Sequence, residues 1–248
     1  MSRRSPVGII FMHVAVRKAA SVKIAVVQHA LRATPAQDLE ALVAVSATAA
    51  SAGADIVVLP EVTAVREGPL GDELWRRLED VAPDAAVIWS RGAAEGPETA
   101  VVAEVPPLGA TALLSGDACM DPQALTVLLA ETPEAAILAP RSESELQAQA
   151  VLELAIGLST SLASLVVIAE PAGSDLGEPG HGGSAIIHLG EVLAEAVAAD
   201  DLLLAEVPGP LGAPEPKGPL PVVPPLLVQR LAAHRGQKVA VDYPADLD

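Results

Sequence analysis

Cys119 is the only cysteine in 248 residues, and it stands in the stretch LLSGDACMDPQ over positions 113–123. A thiol at the turn after an apolar strand has two readings. It is a nucleophile if a base or cation beside it lowers a free pKa of about 8.5. Otherwise it is a compact apolar filler, the common behaviour of a free cysteine. Glu61 directly follows the apolar run ADIVVLP, and α/β folds build sites just past strand ends. His181, beside Gly182 and Gly183, is a candidate ligand contact on a glycine-rich loop. Cations are scarce: Lys18, Lys23, Lys217 and Lys238 are the complete set of lysines. Between Glu61 and Cys119 the basic residues are Arg66, Arg76, Arg77 and Arg91. A single cysteine excludes a disulfide framework and a cysteine-rich zinc site. The histidines (His13, His29, His181, His188, His234) show no HxH or HxxxH spacing, so neither a metal site nor a cofactor is expected. The GHGG run lacks the strand-before-helix setting of a phosphate loop.

The elements that must position these residues alternate along the chain. VKIAVVQ (22–28) and ADIVVLPE (54–61) are continuous apolar runs, as expected of strands buried on both faces. Between them, Leu39, Leu42, Val43, Val45 and Ala49 mark a helix over 37–52 that Gly53 ends. A helix is expected over 72–80, with Trp75 and Leu78 inward. Strands follow over 85–90, 99–105 and 109–115, with a loop over 91–98. A helix over 123–132 and a strand over 134–140 come next. A long helix spans 142–161, with Ser142 and Glu145 fitting a capping box. A strand over 163–170, a glycine-rich loop over 173–183, a hairpin over 184–196 turning at Leu189-Gly190-Glu191, and a strand over 201–207 complete the pattern. Alternating strands and helices with late hairpins give a single layered α/β domain over 22–207. Residues 1–21 read as a flexible leader and 208–248 as a Pro/Gly-rich C-terminal tail.

Composition narrows the classes of function. Apolar residues make up 51 % of the chain and aromatics 2 %, so the core must be built from Ala, Val, Leu and Ile. The formal charge of −17 makes this an acidic protein whose surface repels phosphate backbones and anionic lipid. Neither nucleic acid nor a membrane is an expected partner. The apolar run at 7–16 is interrupted by His13 and followed by Arg17 and Lys18 where a signal-peptide cleavage site would lie. The reading is therefore cytoplasmic.

Four segments in order resemble the nitrilase, or carbon–nitrogen hydrolase, superfamily. They are VKIAVVQ with its helix, ADIVVLPE, the LG…LL…P series near 108–122, and GGSAIIHLGEVLAEA. The resemblance covers most of 22–207. It implies a layered α-β-β-α sandwich and a homodimer packed sheet against sheet. It also implies a Glu–Lys–Cys triad in which a thiolate attacks a nitrile or amide carbon, with Glu61 at the general-base position. Against that pattern the chain departs twice. No lysine lies between Glu61 and Cys119; Arg91 is the substitute cation, though a rigid guanidinium does not freely replace an ammonium. Aligning Leu108-Gly109, Leu113-Leu114 and Pro122 without gaps puts Gly116 at the nucleophile position, whereas Cys119 needs a compensated shift of three residues. Glu95, Glu98 and Glu104 are the candidates for the family's second glutamate.

Three functions follow, one of them a structural subunit whose dimer face is the function. The first is a catalytically silent, pseudoenzyme-type family member that binds a ligand or a partner, such as a paralogue. The alternative is an active amide hydrolase, with Cys119 as nucleophile, Glu61 as base and Arg91 or backbone N–H groups as oxyanion partners.

Overall fold

The computed structural model describes residues 9–11, 21–62, 65, 69–90, 101–173, 180–208 and 221–236. Sheet one contains β1 (Ile9–Phe11), β2 (Ser21–Gln28), β3 (Ile56–Leu59), β4 (Ala86–Ser90) and β11 (Asp201–Pro208), in the order β1-β4-β3-β2-β11. Sheet two contains β5 (Val101–Val105), β6 (Gly109–Ser115), β7 (Ala135–Ala139), β8 (Leu165–Ile168), β9 (Ala185–His188) and β10 (Glu191–Glu195), in the order β10-β9-β8-β7-β6-β5. Strands β2, β3 and β4 run parallel, as do β6, β7 and β8. The helices are α1 (Pro35–Ser51), α2 (Pro69–Val81), α3 (Pro122–Ala130), α4 (Glu145–Leu162) and α5 (Pro225–His234).

The period of two along each strand sorts its residues into layers. Val22, Ile24 and Val26 of β2 meet Leu165 and Val167 of β8 in a core between the sheets. Ala25 and Val27 face the other way, onto Leu39, Leu42 and Val43 of α1. In sheet two, Leu114, Leu138 and Ile168 pack outward against Val151, Leu154 and Leu158 of α4. Each parallel strand is buried on both faces, which is why its sequence reads as an unbroken apolar run. The result is the expected α-β-β-α sandwich.

Local signals explain most element ends. Thr34 caps α1 by accepting from Gln37 N, with Pro35 in the first turn. The β9–β10 hairpin turns at Leu189 (φ 53°) and Gly190 (φ 83°), the double positive φ of a two-residue turn matched to strand twist. Three features differ from the sequence reading. The cap of α4 is Ser144, accepting from Gln147 N, two residues past the capping box proposed at Ser142. Ser142 is fully buried, and its N–H is committed to Glu170 instead. The tail segment contains α5, whose Leu227 is fully buried in the outer layer of sheet two. The leader segment contributes β1, paired antiparallel with β4.

Candidate active site

Each sheet is mixed, with three parallel strands at its centre, and the carboxyl ends of those six strands are the natural site region. The ends of β2 and β8 are joined directly. Ala172 N donates to the His29 carbonyl at 3.0 Å, and Leu31 N donates to the Ala172 carbonyl at 3.4 Å. The Gln28 side chain accepts from Ser184 N at 2.9 Å and donates to the Ala198 carbonyl at 2.6 Å. The two sheets are thereby stapled together at the ends of β2 and β8.

Glu61 lies two residues past β3 and is 5 % exposed, with Pro60 ending the ladder before it. Its burial separates it from an ordinary end-of-strand surface carboxylate. Gly116 is the first residue after β6, where the strand passes directly into a 3-10 turn over Gly116–Cys119. Its φ of 53° is in the left-handed region, where a side chain costs about 1–2 kcal/mol. A sharp strand-to-helix turn of this kind is the shape on which α/β hydrolases present a nucleophile; here a glycine occupies the start of the turn.

Cys119, at the other end of that turn, is fully buried. It packs with Leu114, Ala118, Met120 and Leu125 in the layer between sheet two and its helices. Its Sγ donates to the Leu114 carbonyl at 3.3 Å. Arg91, Glu95 and Glu98 lie outside the described residues. Glu104, on β5, is exposed, and so is His181.

Two buried polar clusters went unmarked in the sequence reading. Glu170, 1 % exposed, follows β8 as Glu61 follows β3. Its Oε1 accepts from Ser142 N, while its Oε2 has no hydrogen-bond partner among the described residues. Burial pushes this carboxyl up to about 7, against the opposing pull of the Ser142 N–H, the Ser142 hydroxyl and the Arg230 charge. The signal was present: VVIAE repeats the pattern of VVLPE, an apolar strand ending in glutamate. The second cluster is His29, 2 % exposed, whose Nε2 sits 2.7 Å from Asp38 Oδ1 and whose Nδ1 sits 3.5 Å from Asp200. It borders a cleft of about 410 Å³ that also includes Gln28, Arg32, Thr48 and Asp200. Neither Glu61, Gly116 nor Cys119 lines this cleft. Among the described residues no group of three His, Cys, Asp or Glu side chains is arranged to hold a metal ion, and no helix is long and apolar enough to cross a membrane.

No family model matches the chain, and no curated protein matches its sequence. Its fold does match solved structures. One is a mutant of the Nesterenkonia AN1 amidase from the nitrilase superfamily, with TM-score 0.63 and 16 % identity over 79 % of this chain and 94 % of that one. A double mutant of the amidase from Nesterenkonia sp. AN1, in complex with acrylamide, matches with TM-score 0.62 at the same identity and coverage. Another mutant of that amidase, with TM-score 0.62, 16 % identity and the same coverage, carries the acetamide moiety of fluoroacetamide added covalently at its active-site cysteine. The chain has the fold of the nitrilase superfamily.

Proposed function

We propose that this protein is a catalytically silent member of the nitrilase-fold group that binds a ligand or protein partner without hydrolysing a C–N bond. One observation carries the reading: the only thiol is buried in the apolar outer layer and spends its hydrogen on a main-chain carbonyl. A buried cysteine packed among apolar side chains is of the inert, structural kind. Gly116 at the start of the turn supplies no nucleophile in its place. The ligand class that suits the reading is a small amide, the class held by the amidases of this fold. A second copy of this chain, packed sheet against sheet, is the proposed assembly.

The second reading, an amide hydrolase using Cys119 and Glu61, is favoured by the burial of Glu61. It requires Cys119 to leave its layer. Ammonia release from butyramide separates the two. The silent reading expects wild type and Cys119→Ala to stay at the level of the no-protein control. Release by wild type that Cys119→Ala abolishes overturns it.

A further inference from the structure

The cleft beside His29 follows from how α1 sits on sheet one. Helix α1 covers β2 and β3 with Leu39, Leu42 and Val43. The edge strand β11 pairs beside β2, at the margin of that cover. Leu202 of β11 is partly buried, and Leu204, on the same face of the strand, is 38 % exposed. Toward β11 the helix turns Ala41, Ala44, Val45 and Thr48, one stripe at helical spacing that lines the cleft. Two of the four are alanines, whose short side chains leave the gap between helix and strand unfilled. The stripe from Ala41 to Thr48 is about 10 Å long.

The polar lining is Gln28, His29, Arg32, Asp200 and Asp201. Most of its hydrogen-bonding capacity is spent within the protein. The two His29 nitrogens face Asp38 and Asp200. Asp200 Oδ1 accepts from Ala30 N at 3.1 Å, and Asp201 accepts from Val197 N and Leu202 N. Gln28 is committed to Ser184 and Ala198. Arg32 differs. Its Nη2 donates to Asp200 Oδ2 at 2.8 Å, while its Nε and Nη1 donate to no group among the described residues. A ligand acceptor fits these donors. A carboxylate suits them poorly, because Asp200 already balances the Arg32 charge and Asp201 adds a second negative group. A neutral carbonyl takes the same charge-assisted bonds without that repulsion.

We propose that this cleft is a binding site for a neutral aliphatic amide. Its carbonyl would sit on Arg32, its N–H group toward Asp200, and its acyl chain along Ala41, Ala44, Val45 and Leu202. The site stands apart from Glu61, Gly116 and Cys119, none of which lines it. The ligand class rests on the ligand-binding reading given above. The place, and the preference for a longer acyl chain, come from the cleft.

Two-dimensional NMR of the nitrogen-15-labelled chain tests this, with butyramide, hexanamide and hexanoate as probes. Hexanamide should shift the backbone signals of residues 28–32, 41–48 and 200–202 saturably. It should bind more tightly than hexanoate, and more tightly than butyramide by about two- to fourfold per added methylene. Arg32→Ala should weaken hexanamide about tenfold. Ala44→Leu places a good helix former at an exposed position, fills the gap and should weaken both amides. Four results overturn the proposal. The first is no saturable shift with either amide, and the second is an affinity that does not rise with chain length. The third is hexanoate binding as well as hexanamide. The fourth is shifts confined to the residues around Glu61 and Gly116, which would return the amide to the strand ends. Cleft shifts together with ammonia release that Cys119→Ala abolishes would uphold the cleft and overturn only the silent reading.

Discussion

The Cys119 Sγ hydrogen points back along its own chain to the Leu114 carbonyl, 3.3 Å away. The bond closes the turn after β6 onto the strand it leaves and holds the sulfur on the helix side of sheet two. Alkylation of Cys119 by iodoacetamide at neutral pH should be slow in the native protein and become fast only across the urea unfolding transition. Glu61→Gln should leave the native rate unchanged. Mass spectrometry of labelled peptides reads both outcomes. Fast native labelling that slows in Glu61→Gln would show an activated thiol.

A cysteine at position 116 should behave in the opposite way. In a Cys119→Ala background, Gly116→Cys should label faster under native conditions than Cys119 does in wild type. The left-handed φ of 53° should cost about 1 kcal/mol of stability, measured by urea denaturation. A thiol at 116 that labels only on unfolding would remove Gly116 from the candidate site.

The staple between the sheets predicts unequal costs for two glycines of similar backbone. Gly53 (φ 79°) has nothing within 4 Å of an added Cβ, so Gly53→Ala should cost only the strain, about 1 kcal/mol. At Gly182 (φ 76°) the added Cβ would lie 2.7 Å from Gln28 Nε2. Gln28 is already committed on both sides, so Gly182→Ala should cost about 2–3 kcal/mol. Equal urea midpoints for the two variants would contradict the staple.

Asp121 has two separable jobs. It caps α3 by accepting from Gln123 N at 2.9 Å, and it pairs with Arg235, the residue that ends α5. Burial works against its charge, but Arg235 and the Gln123 N–H outweigh that and hold its carboxyl below the ordinary carboxylate range. Its contribution is present above the ordinary value of 3.8 and is lost as pH falls through the lowered one. Asp121→Asn should keep the cap and lose the ion pair. Asp121→Ala should lose both and cost about 1 kcal/mol more in thermal or urea unfolding.

Glu170 predicts the reverse slope. Its carboxyl is raised, so the folded state holds a proton that the unfolded chain releases between pH 4.5 and about 7. That contribution to stability is complete below pH 4.5 and is lost as pH rises through about 7. Over that window it amounts to at most about 3 kcal/mol. The difference in unfolding free energy between Glu170→Gln and wild type should therefore grow in favour of the variant from pH 5 to pH 8. A constant difference would remove the proton from Glu170.

The sequence by itself determined the layers. Unbroken apolar runs such as VKIAVVQ and ADIVVLP can be satisfied only by strands covered on both sides, and their alternation with helical periods leaves little besides a layered α/β sandwich. It also determined that Glu61 stands at a strand end and that no lysine separates it from Cys119. Tertiary structure alone decided what the polar residues do. The direction of the Cys119 thiol depends on how a four-residue turn leaves β6, which no periodicity records. Ser142 and Ser144 are equivalent as caps in the sequence. Only the approach of Glu170, 28 residues away, takes one of them out of the helix. The seat of α5 rests on Arg230 and Arg235 reaching residues 83 and 114 positions earlier. Local propensity acts over a few residues, whereas burial of a charge depends on every element that closes around it, and those elements meet only in the folded chain.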